Sequence, residues 1–216
     1  MAFIDFLTLD LFSLSFAGFI ILYTSTKAFL SYRAMIKKAR QILDYEDLLN
    51  DITSASLPLF SIGIIMFITS LYGVLTWPLP GSYNILFFEP LLMASVLVIS
   101  VGFALYKRLT LQLDYMGFFA LLSGLMAIYY GLQGYSIGLT EEPLIMMLMY
   151  LFFGLAGVFT FPYMYEIKRI ASNKTKKVHP LVNFVIVLFW IFTLLGALTA
   201  MITGLAALPS HLARAP

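Results

Sequence analysis

The polar and aromatic side chains around residue 89 form the first candidate site in the sequence. Glu89 lies at the boundary of an apolar segment, between Phe88 and Pro90. A carboxyl group in that position is partly removed from water, so it needs a proton, a cation or another partner. The candidate outer polar site consists of Glu89, Tyr83, Asn84, Tyr130 and Gln133.

Two interpretations of Glu89 remain open. In the first, the carboxylate lies at the headgroup level and is stabilised by the positive end of a helix dipole. In the second, it binds a proton or a cation inside a cavity that faces outward. The tyrosines nearby are also typical of the aromatic belt at a membrane interface, which favours the first interpretation.

The sequence carries no recognisable catalytic or metal-binding motif. It contains no Cys, which excludes disulfides, thiolate catalysis and cysteine-based metal centres. His179 and His211 flank the last apolar segment, and a helix between them would separate them by about 48 Å. No P-loop or H-E-x-x-H sequence occurs. We therefore predict no catalytic residues, no cofactor, no metal ion and no enzyme activity.

The elements that must position these residues are six long apolar segments. Each is close to the length of about 20 residues that a helix needs to span a bilayer. They are too long and too continuous for the strands of a membrane barrel. The six segments are Leu11–Leu30, Leu57–Trp77, Leu86–Tyr106, Tyr115–Tyr135, Pro143–Tyr165 and Leu181–Leu208. The predicted fold is all-α, a polytopic membrane helix bundle of six transmembrane helices that forms a single domain over residues 1–216.

Composition supports a membrane protein and excludes several other classes. Hydrophobic residues make up 61% of the chain and charged residues 11%, whereas about a quarter of an average soluble domain is charged. The mean hydropathy is +0.94. The net charge of +2 is too small to indicate a nucleic-acid partner. The predicted partner is the lipid bilayer, and the predicted location is the cell membrane as a multi-pass protein.

The distribution of basic residues predicts the orientation. All of the 13 Lys and Arg residues except Arg214 lie in or beside the first, third and fifth connections. Basic connections stay in the cytoplasm, so both termini are predicted outside. Asp5 and Asp10 then lie outside as well. The first connection, about residues 31–50, has apolar positions at helical spacing and is predicted to lie on the cytoplasmic membrane surface, or else to dock a cytoplasmic partner.

Small residues recur at regular intervals in the fourth and sixth segments. In lipid, helices associate through close contact of small residues, because burial of apolar surface gives no gain there. These predicted packing seams favour either contact between helices of one chain or self-association through helix 4 or helix 6. The fourth segment has Gly117, Ala120, Gly124, Ala127, Gly131, Gly134 and Gly138, and the sixth has Gly196, Ala200 and Gly204.

One stretch supports a family resemblance. The residues from Trp77 to Phe87, WPLPGSYNILF, are followed by Glu89 and Pro90. This stretch resembles a signature of an archaeal family of small six-span integral membrane proteins catalogued only as a domain of unknown function. The resemblance implies an archaeal plasma membrane and carries over no catalytic residues.

Two functions remain open from the sequence. The first is a non-catalytic structural or accessory subunit of a membrane complex, which the packing seams and the missing motifs favour. The alternative is a small carrier or channel with an outward-facing polar site near Glu89.

Overall fold

The fold is all-α in the described part of the chain. The computed structural model describes residues 5–37, 50, 52–109, 112–173 and 180–213. The six long helices are α1 (Phe6–Lys37), α2 (Ser56–Thr76), α3 (Ser82–Tyr106), α4 (Leu113–Ser136), α5 (Pro143–Asn173) and α6 (Pro180–Ala213).

All six helices are long and apolar enough to cross a membrane, which confirms the predicted helix bundle. Several extend beyond the apolar segments from which they were predicted. Helix α1 begins at Phe6 and continues to Lys37, and α5 continues to Asn173. Most of the predicted amphipathic connection, residues 38–49, lies outside the described residues. His179 also lies outside them.

The helices form a closed ring in chain order. Each helix packs on the next, and α6 returns to pack on α1. The Ser15 hydroxyl donates a hydrogen bond of 2.8 Å to the Ala197 carbonyl oxygen and so joins α1 to α6. We call the end of the ring where α1 begins and α6 ends the terminal end. The opposite end, which carries Arg108 and Lys168, is the basic end.

The most extensive helix contact in the described chain joins α4 to α5, and the glycines of α4 lie in it. A methyl group added at Gly117 would lie 2.9 Å from Met164 Cβ and 3.0 Å from Phe161 Cα. One added at Gly124 would overlap the carbonyl oxygen of Gly154 and lie 3.1 Å from the Val158 nitrogen. Close approach of the two backbones therefore needs glycine at these positions.

Gly138 does not belong to this contact, contrary to the expectation that it continues the seam. Helix α4 ends at Ser136, and Gly138 follows with a φ of +60° and open space around it. The amide of Gly138 donates to Tyr135, and the amide of Leu139 donates to Gly134. This is a Schellman motif, in which glycine ends the helix by adopting the left-handed conformation.

The small residues of α6 face α1 and α5 of the same chain. A methyl group added at Gly196 would lie 3.0 Å from the Phe153 ring, and one at Gly204 would lie 3.0 Å from the Phe12 ring. Ala200 is fully buried. These faces are occupied within the chain, so they are not free for contact with another subunit.

Pro90 does not begin a helix, although the sequence predicts a helix start near this position. Helix α3 begins eight residues earlier, at Ser82, and Pro90 lies in its interior. Pro143, in contrast, is the first residue of α5. The Glu-Pro pairs at 89–90 and 142–143 therefore do not occupy equivalent positions in the two helices.

Candidate functional site

The predicted outer polar site contains one direct contact. The Tyr130 hydroxyl on α4 donates a hydrogen bond to Glu89 Oε2 on α3. Both side chains are partly buried. The pair lies near the terminal end and links two neighbouring helices, so the Glu89 carboxyl has a protein partner.

The other three predicted residues lie at separate positions and make different contacts. Asn84 is buried, and its amide donates to the Gly73 carbonyl oxygen at 2.9 Å while its side-chain oxygen accepts from the Leu79 amide at 3.3 Å. It therefore ties the turn between α2 and α3. Tyr83 stacks on Phe87, with 6.1 Å between ring centroids. Gln133 is exposed on α4. The five residues do not form one pocket.

A second polar contact in this region follows from the proline in α3. A proline has no amide hydrogen, so Pro90 leaves the Leu86 carbonyl oxygen without its usual helical donor. The Tyr150 hydroxyl on α5 donates to that oxygen at 2.5 Å. In a bilayer each backbone polar group needs a partner inside the protein, and a side chain of a neighbouring helix supplies it here.

Asp10 is the buried acid that the sequence analysis placed outside the membrane. It lies in the second turn of α1, and only 4% of its surface is exposed. The Thr69 hydroxyl on α2 lies 2.5 Å from Asp10 Oδ1. The other oxygen, Oδ2, is buried and has no hydrogen-bond partner among the described residues. The sequence does contain a sign that Asp10 lies within the helix, because Phe6, Leu7 and Leu9 continue the apolar segment on the N-terminal side of Asp10.

Asp10 lines a cavity of about 80 Å³ near the terminal end, which we call the outer cavity. The rest of its wall is apolar or aromatic and comes from α1, α3, α4 and α5. Lining residues include Leu7, Leu11, Phe87, Met149 and Tyr150. Of the described residues that line the outer cavity, Asp10 and Tyr150 are the two that can titrate.

A larger cavity of about 270 Å³ lies along the axis of the ring, and we call it the axial cavity. All six helices contribute to its wall, which is formed mainly by aliphatic and small side chains. It adjoins the outer cavity, because five residues line both. These shared residues are Leu14, Pro90, Ala94, Ala127 and Phe153.

Charged residues lie where the axial cavity reaches the basic end. Arg108 and Glu166 both line it. Glu166 is buried and accepts two hydrogen bonds from Arg169, at 2.5 and 2.7 Å. Nearby, Lys168 on α5 forms an ion pair of 2.5 Å with Asp114 on α4. The axial cavity thus has an apolar body and a polar mouth at the basic end.

At the terminal end, His211 in the last turn of α6 contacts Asp5 and Thr8 at the start of α1. His211 Nδ1 lies 2.6 Å from Asp5 Oδ2 and 3.1 Å from the Thr8 hydroxyl. Partial burial acts to raise the pKa of the Asp5 carboxyl, but its hydrogen bonds with Thr8 and His211 outweigh that effect and lower the pKa below the usual value. This contact joins α6 to the start of α1.

Comparison with known proteins adds a family and no activity. No curated protein and no solved structure matches the chain significantly. One family model matches residues 1–214, and its description is "Protein of unknown function (DUF981)". Because the match covers nearly the whole chain, the protein belongs to this family of unknown function.

Proposed function

We propose that the protein is a non-enzymatic carrier that binds a small amphipathic molecule in the axial cavity. The observation that carries the proposal is the cavity itself, an apolar space of about 270 Å³ that is lined by residues of all six helices. Protein interiors are otherwise close-packed, with few voids larger than a water molecule. An engineered apolar cavity of about 150 Å³ stays free of water and binds small hydrocarbons, so a larger one suits an apolar guest.

The two ends of the axial cavity favour an amphipathic guest over a hydrocarbon. The body of the cavity offers little polar surface, whereas Arg108 and Glu166 line it at the basic end. At the other end it adjoins the outer cavity, which contains Asp10. A guest with a hydrocarbon chain and one polar group would match this distribution.

The alternative role as a structural or accessory subunit has less support from the geometry. It depended on packing seams that could face another subunit. The glycines of α4 contact α5, and the small residues of α6 contact α1 and α5. The absence of an enzyme activity remains a proposal that rests on the missing sequence motifs.

Trp190 allows the proposal to be tested by fluorescence. Its ring nitrogen donates to the Ser25 hydroxyl at 2.9 Å, and its ring contacts Phe29 edge to face. Ser25 and Phe29 both line the axial cavity. In a Trp77→Phe background, Trp190 is the remaining tryptophan. We expect 10-bromodecanol to quench its emission in a saturable manner when the protein is in lipid nanodiscs.

Variants that fill the cavity separate specific binding from partition into lipid. In the double variant Ala94→Leu/Ser123→Leu, two residues that line the axial cavity become larger. We expect it to lose the saturable quenching. Ala206→Leu makes the same kind of change at an exposed position on α6 and should keep it. Equal quenching in the double variant and its parent, with both folded by thermal melting, would overturn the proposal.

A further inference from the structure

We propose that Asp10 is the cation-binding group of this cavity system and that the guest is an organic ammonium ion with a hydrocarbon chain. The ammonium group would lie in the outer cavity beside Asp10, and the chain would extend into the axial cavity. This inference rests on the proposed function, because it names the chemical class of the molecule carried.

The hydrogen bonds around Asp10 leave the carboxyl group incompletely satisfied. Thr69 Oγ1 lies 2.5 Å from Asp10 Oδ1, but it also lies 2.9 Å from the Ile65 carbonyl oxygen. A hydroxyl group has one hydrogen, so Thr69 can donate to one of these acceptors at a time. Oδ2 has no partner in the described part of the chain. A buried carboxylate in this state needs a proton or a cation.

The wall of the outer cavity favours an organic cation over a metal ion. Calcium and magnesium ions need about six oxygen ligands. Asp10 and Thr69 supply three oxygen atoms, and the described residues contain no cluster of three His, Asp or Glu side chains. Phe87 and Tyr150 line the same cavity, and aromatic faces attract alkylammonium ions.

Charged groups on the neighbouring helices are engaged elsewhere. Of the helices that line the outer cavity with α1, α3 has Glu89, which accepts from Tyr130, and α5 has Tyr150, which donates to Leu86. Helix α2, which supplies Thr69, contains no Asp, Glu, Lys, Arg or His. On α6, His211 contacts Asp5. Asp10 is therefore left to exchange a bound proton for the ammonium group, and the released proton passes to water.

The test compares two ligands that differ in charge and share the hydrocarbon chain. Decylammonium and decanol each compete with 10-bromodecanol, and recovery of Trp190 emission reports their affinities in nanodiscs. We expect decylammonium to bind more tightly than decanol. In Asp10→Asn, decylammonium should lose about tenfold to a hundredfold in affinity, as removal of a charged hydrogen-bonding partner predicts. The affinity of decanol should stay unchanged.

The outcomes distinguish failure of this inference from failure of the carrier proposal. If decanol competes and Asp10→Asn binds decylammonium as well as the parent does, the carrier proposal stands and the role of Asp10 is refuted. If neither ligand competes, the carrier proposal fails.

Should Asp10→Asn not fold, Asp10→Glu provides the second variant, because it keeps the charge and should keep the preference for decylammonium. Lowering the pH from 8 to 5 should weaken the binding of decylammonium, because protons then compete for Asp10, and should leave the binding of decanol unchanged. Equal effects on the two ligands would contradict the proton exchange.

Discussion

At the scale of single residues, a side chain of one helix satisfies a backbone group of its neighbour. Pro90 removes the helical donor to the Leu86 carbonyl oxygen, and the Tyr150 hydroxyl replaces it. Within a bilayer an unsatisfied carbonyl group has no water to bond with, so the replacement matters more than it would at a soluble surface. The same hydrogen bond fixes α5 against α3 at the wall of the outer cavity.

This pairing predicts a coupling between two substitutions. Tyr150→Phe should destabilise the protein by about 1–3 kcal/mol, because it leaves the Leu86 carbonyl oxygen without a donor. Pro90→Ala restores the backbone amide, so Tyr150→Phe should cost less in that background. Thermal or denaturant unfolding of the four proteins in detergent gives the coupling energy.

Tyr163→Phe is the matched control for this cycle. Tyr163 is also a buried tyrosine on α5, and it stacks on Phe189, a contact that phenylalanine retains. It should change the unfolding midpoint little in either background. Additive effects of Pro90→Ala and Tyr150→Phe would show that Leu86 does not depend on the hydroxyl group.

At the scale of the elements, glycine sets the distance between α4 and α5. Gly124 lies against Gly154 and Gly157, so the two backbones touch where side chains would normally separate them. The same small residues leave space on the inner side of the ring, because Gly124 and Gly157 also line the axial cavity. Close packing of one helix pair and an open centre therefore have a common origin.

A larger side chain in this contact should separate the helices. Gly124→Leu should destabilise the protein by about 1–3 kcal/mol or more, since overpacking forces backbone shifts. This corresponds to a fall in melting temperature of roughly 2 °C or more. Ala206→Leu adds similar bulk on the exposed face of α6 and should melt like the parent. If Gly124→Leu also melts like the parent, the two backbones do not depend on glycine for their approach.

The sequence predicted these elements better than it predicted the polar site. Continuous apolar segments determine six helices, because backbone groups in lipid must bond within a helix. The rotation of each helix about its axis is not encoded in such segments. The sequence therefore groups Asn84 and Gln133 with Glu89, although Asn84 bonds across a turn and Gln133 is exposed. A first segment that begins at Leu11 places Asp10 outside, whereas α1 begins at Phe6 and includes it.

At the scale of the whole molecule, the small residues of α4 and α6 contact other helices of the same ring. Helix α6 packs on α1 where Ala197 meets Gly18. A side chain added at Gly18 would be pressed against Ala197. The His211 contact with Asp5 joins the same pair of helices at the terminal end. The ring is complete without a second copy, so one chain supplies every helix that lines the axial cavity.

The charges of this ring predict its orientation in the membrane, with the basic end in the cytoplasm. Because the native chain has no Cys, a single introduced cysteine can be labelled without background. Lys107→Cys lies at the basic end and Glu141→Cys at the terminal end, both exposed. Basic connections remain in the cytoplasm, so a membrane-impermeant maleimide should label Glu141→Cys in intact cells. It should label Lys107→Cys only after the cells are permeabilised. The reverse pattern would place the basic end, with the Arg108 mouth of the axial cavity, outside the cell.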